Sequence, residues 1–227
     1  MPVFRLECPQ DFTPNADPPP SQPTPALPGS EGTDATCNWA GVGDQGATPG
    51  GVGNPGQRGR DGANGAQGAT GGSMYVEVDD IDGQIEFMMR ACRGRDGQDG
   101  SKGGDGGPGG PGGKGCKEGA NSHNPALGGR GGRGGNGGDG GNGGDGGNGG
   151  KLIIVYRQNI PPLDNVQIFG GQPGAAGQGG EGGKGGAGGR QGGNGAQAAF
   201  GQDGNPGQPG QPGSSGEGGN LELYKDE

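Results

Sequence analysis

The sequence predicts an irregular, all-β-like fold: a bundle of about five polyglycine II helices with two β-hairpin insertions and a short C-terminal strand. Three observations predict it. Glycine makes up 68 of 227 residues and proline 20, while the hydrophobic fraction is 24%. Glycine costs about 0.5–1 kcal/mol relative to alanine in a helix or strand, so this composition disfavours long α-helices and a conventional core. The glycines recur with a period of three, and three short apolar islands interrupt them.

The elements follow in chain order. Residues 1–40, with the Pro-rich stretch Pro14–Pro28, read as an N-terminal segment or linker, and 41–227 as the bundle, with hairpins at 73–90 and 151–169. The first glycine run is Gly53, Gly56, Gly59, Gly62, Gly65, Gly68 and Gly71. The second spans Gly94 to Gly115. The third, Gly128 to Gly150, spends two of every three positions on glycine. The fourth runs from Gly171 to Gly195, and the fifth from Gly201 to Gly219 after a turn at Ala196–Phe200.

A period of three matches about three residues per turn at a rise of about 3.1 Å. Neither the 3.6 period of an α-helix nor the 2.0 period of a strand fits it. Triplets such as Gly207-Gln-Pro would suit a collagen-like trimer, but the third run has no proline. Its doubled glycine suits a bundle in which several neighbours approach one chain and backbone N–H groups bond carbonyls across it. A held register also separates the chain from aperiodic Gly/Pro-rich disorder.

The apolar islands read as strands. Ser73–Asp79 and Gln84–Arg90 flank an Asp82-Gly83 turn, the signature of a hairpin. Lys151–Arg157 and Asn165–Phe169 make a second hairpin with a long loop, and Leu221–Tyr224 a final strand. Runs that alternate in direction, with Lys117–Leu127 reversing the second, bring all three islands to one end. There they could form a β-rich cap or lie alongside the runs. Leu152–Val155 is the longest apolar stretch and the expected anchor.

Chemistry is sparse. Net charge is −9, which disfavours nucleic acid, and no apolar run is long enough to span a membrane. The single histidine, His123, has only Ser122 beside it and reads as a loop tip. No phosphate-loop or dinucleotide motif occurs, so no enzyme and no cofactor are expected. The one metal reading is weak Ca2+ binding at Asp139 and Asp145, six residues apart and therefore on one face of a period-three chain. A solvated acidic stripe is the bland alternative. Candidate presenting loops carry Asp80, Asp82, Asn121, His123, Asn159 and Asp164.

Cys8, Cys37, Cys92 and Cys116 contain no CxxC spacing, which argues against a zinc ribbon. They are free thiols or form one or two disulfides. A straight second run holds Cys92 and Cys116 too far apart to pair. Cys37 with Cys116 is the expected bridge if one forms, with Cys8 and Cys92 left open. The first residues lack a secretory pattern, which suggests a cytoplasmic chain, an unusual release route or a particle component; an extracellular or particle-associated setting is favoured.

On its GGX and GXY triplets, residues 41–219 resemble the polyglycine II helical-bundle proteins, of the snow-flea antifreeze and phage tail-fibre tip adhesin types. That resemblance implies a scaffold without catalysis. The adhesin type implies loops that recognise a protein or glycan receptor or neighbouring subunits of an assembly. The antifreeze type implies ice binding, against which Arg130, Arg133, Asp139, Asp145, Glu181, Lys184 and Arg190 occupy outward positions. The expected function is a non-enzymatic structural or adhesive protein; the alternatives are ice binding, a collagen-like trimer or a repeat subunit.

Overall fold

Where apolar islands interrupt the glycine period, the chain forms strands whose successive side chains point to opposite faces. The computed structural model describes residues 3–8, 20–79, 85–159 and 165–227. Its strands are β1 (Val3–Glu7), β2 (Ser73–Val78), β3 (Glu86–Arg90), β4 (Cys116–Glu118), β5 (Asn121–His123), β6 (Lys151–Tyr156), β7 (Val166–Phe169) and β8 (Asn220–Lys225). They form two parallel sheets of three strands, β1-β3-β7 and β2-β6-β8, and one antiparallel pair, β4-β5.

This corrects the expected fold class. The expected bundle of about five polyglycine II helices with two hairpins is not what the chain forms: among the described residues the regular elements are short strands in mixed small sheets, and the glycine runs are extended segments tied laterally by backbone hydrogen bonds. Among the described residues neither expected hairpin forms. β2 and β3, like β6 and β7, lie in different sheets and pair with strands far away in sequence. The Asp82-Gly83 turn lies outside the described residues. The turn expected at Ala196–Phe200 sits earlier, where Arg190 pairs with Gln197 and Gly193 and Asn194 take positive φ.

The two sheets pack against each other through their central strands. Phe87 and Met89 of β3 and Leu152 and Ile154 of β6 are fully buried, two apart on each strand as one-face burial requires. Leu6, Met74, Val76, Ile168 and Leu221 surround them. Lys151 of β6 pairs with Glu222 of β8 at 2.6 Å. Arg157, just beyond β6, holds Glu77, Asp79 and Asp226 together at that end.

The glycine-rich chain continues both sheets away from this core. Six extended segments, about 26–35, 48–71, 91–113, 126–150, 170–192 and 198–219, are tied by backbone hydrogen bonds at every third residue. The first, third and fifth continue the β1-β3-β7 layer, with Gly29 donating to Pro108 and Gly94 to Gln172. The second, fourth and sixth continue the β2-β6-β8 layer, with Gly53 donating to Arg130 and Gly131 to Ala199. Between layers the partners are antiparallel: Gly104 donates to Gln57 at 2.8 Å and Gly135 to Gly104 at 2.8 Å.

Glycine doubling follows the number of neighbours. In the fourth segment a Cβ on Gly135 would enter the Gln57 carbonyl of the second, and one on Gly134 the Gly183 carbonyl of the fifth. Only the third triplet position (Arg133, Asn136, Asp139) points outward. In the third segment a Cβ on Gly107 or Gly110 would enter the carbonyl of Leu27 or Ser30 in the first segment. That partner's bonds begin at Ala26 to Asp105. Nearer the sheets, Ser101, Gln98 and Arg95 hold the same triplet position, and Ser101 Oγ accepts the Arg60 N–H at 2.8 Å.

Outward Asn and Asp residues cap what the glycine ladder leaves open. Asp61, Asn64, Asn136, Asp139, Asn142, Asp145 and Asn148 each accept the backbone N–H of an outward residue in the adjacent column. Asp34, Asp96, Asp99 and Asp105 do the same on the opposite face. Disulfides close both ends: Cys8–Cys92 beside the sheets, and Cys37–Cys116 at the far end.

Candidate functional site

The end remote from the sheets is built from three connections: the loop 37–45, the β4-β5 hairpin and the turn 190–197. Thr36 pairs with Gln45 to close the first. Inside it Gly41 and Gly43 take φ of 69° and 82°, a conformation that side-chain-bearing residues seldom adopt. Asn38 organises the loop: its N–H donates to Asp44 Oδ1 at 2.6 Å, and its Nδ2 to the Val42 carbonyl at 2.9 Å. The loop therefore turns its apolar residues out, leaving Trp39 82% and Val42 79% exposed.

The hairpin holds that loop from the side. Gly119 makes the β4-β5 turn with φ of 60°. Asn121 Nδ2 donates to the Asn38 carbonyl at 2.8 Å, and the Cys37–Cys116 bridge joins loop to hairpin with Cα atoms 5.9 Å apart. Trp39 lies over Gly119, close enough that a Cβ there would stand 3.5 Å from Cδ1. His123 faces Cys116 across β4-β5 and places Nε2 4.0 Å from Asp44 Oδ2. Donor atoms of Cys37, Asp44 and His123 all lie within 4.8 Å of one another. With Cys37 in a disulfide, its sulfur is no thiolate and the trio is not a metal site in this state.

The residues singled out in the sequence divide between the ends. Asn121 and His123 belong to this site, on strand β5 rather than a loop tip. Asn159 lies at the other end, after β6; Asp80, Asp82 and Asp164 lie outside the described residues. Asp139 and Asp145 share one outward column, and their Oδ1 atoms accept the N–H of Gln208 and Ser214, each at 2.7 Å. Asp139 Oδ2 also takes Arg58 at 2.9 Å. Six extended residues separate them by roughly 20 Å, too far to share one ion. The bridge expected between Cys37 and Cys116 is present, and Cys8–Cys92 joins it.

Sequence reasoning passed over Trp39 and Asp44. A signal existed for each: the only tryptophan of the chain stands two residues from Cys37, and Asp44 is as far from Cys37 as His123 is from Cys116.

No family model matches the chain, and no curated protein matches it. Among solved structures, it is similar to the springtail antifreeze protein from Granisotoma rainieri, described as a nine polyproline type II helical bundle. The two are 27% identical over 66% of this chain and 93% of that one, at a TM-score of 0.08. That score establishes no common fold, and membership of the polyglycine II bundle proteins is not shown.

Proposed function

We propose that the protein is a non-enzymatic structural or adhesive scaffold that presents the loop 37–45 and the β4-β5 hairpin to a protein or glycan receptor. One observation carries this reading: Trp39, 82% exposed, stands on a loop fixed by a disulfide, by Asn38 and by Asn121. An aromatic ring held in place in the unbound state loses little freedom on binding, and tryptophan is enriched among residues that dominate interfaces. The cross-linked layers behind it supply rigidity.

Ice binding competes for the same scaffold. The outward columns work against it, because they carry Arg58 and Asp139 as an ion pair and spend Asn and Asp side chains on capping. Glycan and protein arrays probed with the full chain and with Trp39→Ala test the proposal. Retention on a defined receptor that falls at least tenfold in Trp39→Ala supports it. Retention unaffected by Trp39→Ala, or thermal hysteresis in dilute solution, overturns it.

A further inference from the structure

The far end contains two small antiparallel closures of the same design. In one, Thr36 pairs with Gln45, which sets Cys37 across from Asp44. In the other, Cys116 pairs directly with His123. Each closure thus places a sulfur opposite a nitrogen or oxygen donor seven residues on, and the disulfide brings the two pairs together. The four donors are two sulfurs, one imidazole and one carboxylate, a set that suits tetrahedral Zn2+.

Three of the four donors already stand near one another as an ion needs, and the fourth, Cys116, is bonded to one of them. Donors about 2.0–2.3 Å from a tetrahedral zinc stand about 3.3–3.8 Å from each other. His123 Nε2 and Asp44 Oδ2 are 4.0 Å apart, and Cys37, Asp44 and His123 offer donors within 4.8 Å. Asp44 is oriented through its other oxygen, which accepts the Asn38 N–H; such an outer contact fixes a ligand's direction. The required change is local: the two bonded sulfurs part, and that of Cys116, outside the group of three, turns toward Asp44 and His123. Lys114 and Lys117 line the adjoining surface pocket with Cys116 and His123, and would offset the net negative charge of two thiolates, one carboxylate and a dication.

We infer that Cys37, Cys116, His123 and Asp44 form a zinc site when the Cys37–Cys116 bond is reduced, so that this corner exchanges a disulfide cross-link for a metal one. Two thiol groups, or one phosphine with a water molecule, supply two electrons and two protons; the S–S bond breaks, both sulfurs become thiols, and the reductant leaves as its disulfide or, with the oxygen of that water, as the phosphine oxide. Zn2+ then displaces the thiol protons to solvent and binds both thiolates. The site is independent of what the loop recognises.

Cobalt and zinc titrations of the full chain, with and without a phosphine reductant, test the inference. The reduced chain should bind one Co2+ with sulfur-to-cobalt charge-transfer absorption, Zn2+ should displace it, and the oxidised chain should show neither. Cys8→Ser/Cys92→Ser should retain the signal; Cys37→Ser/Cys116→Ser should abolish it. His123→Ala should weaken affinity at least tenfold. Amide exchange across 128–150 monitors folding in parallel. Absence of the cobalt bands in the reduced chain, their persistence in Cys37→Ser/Cys116→Ser, or loss of amide protection on reduction that Zn2+ does not restore overturns the inference.

Discussion

Substituting Gly135 by alanine measures how tightly the layers are held. Its Cβ would enter the Gln57 carbonyl oxygen and stand 2.9 Å from that of Gly56. Both obstacles are backbone, and neither can swing away as a side chain could. Overpacking of this kind costs about 1–3 kcal/mol. The bonds Gly135 N–H to Gly104 and Gly183 N–H to Gly135, each 2.8 Å, would stretch as the chains part, adding about 1 kcal/mol apiece. Replacing glycine stiffens the unfolded chain and returns about 0.4–1 kcal/mol. The net loss is about 2–5 kcal/mol, or about 4–20 °C in Tm for a chain of this size. Asn136→Ala is the control: it points outward and gives up one exposed bond, to the Asn205 N–H at 3.0 Å, for about 1 kcal/mol or less. Calorimetry of both variants decides. Equal Tm values, or a Gly135→Ala change inside about 1 °C, would refute the close approach.

Three further outcomes are expected. Ile154→Ala should cost about 2–5 kcal/mol in chemical denaturation, because Ile154 is fully buried at the sheet interface; a change under about 0.5 kcal/mol would remove it from the core. Asp105 is held below its ordinary value of 3.8 chiefly by the Lys184 N–H that it accepts, with Lys102 contributing and desolvation opposing. Its contribution is therefore complete above about pH 4 and is lost as pH falls through its lowered native value; Asp105→Asn, which keeps the acceptor oxygen, should shrink the acid-side drop in Tm, and an unchanged drop counts against that bond. Cys8→Ser/Cys92→Ser opens a cross-link between residues 84 apart, for a loss of up to about 4.5 kcal/mol by chain entropy; an unaltered denaturation midpoint would show the bridge to be unimportant.

The period-three glycine pattern and the apolar islands were legible in the sequence, because both are local. So was the gathering of the islands at one end, which follows from runs that alternate in direction. The hairpins were misread for the same reason. Asp82-Gly83 between two apolar runs satisfies every short-range rule for a hairpin, yet β2 pairs with β6 and β3 with β1 and β7. Nothing within a window of twenty residues records a parallel partner some 80 residues away. The Pro-rich segment near Gly29 and Gly32 has too few glycines to display its period. Its presence is written instead in the third segment, where doubling covers Gly103–Gly113 but not Arg95, Gln98 or Ser101. The cysteine, histidine and aspartate cluster was hidden because its spacing of seven crosses two antiparallel closures and matches no short metal motif.

Lateral hydrogen bonds at every third residue make one ordered body of the glycine-rich chain. Residue-resolved amide exchange over 128–150 tests it most directly. Gly131, Gly132, Gly134 and Gly135, which donate to Ala199, Gly107, Gln202 and Gly104, should exchange slowly, while the exposed Arg133 and Asn136 exchange fast, giving two protected amides in three over 131–136; further along, Asp139 and Asn142, whose N–H groups donate to the Asp61 and Asn64 side chains, should be slowed as well. Uniformly fast exchange across 128–150, or protection of Arg133 and Asn136 equal to that of the glycines around them, would show that these bonds do not hold the chain together.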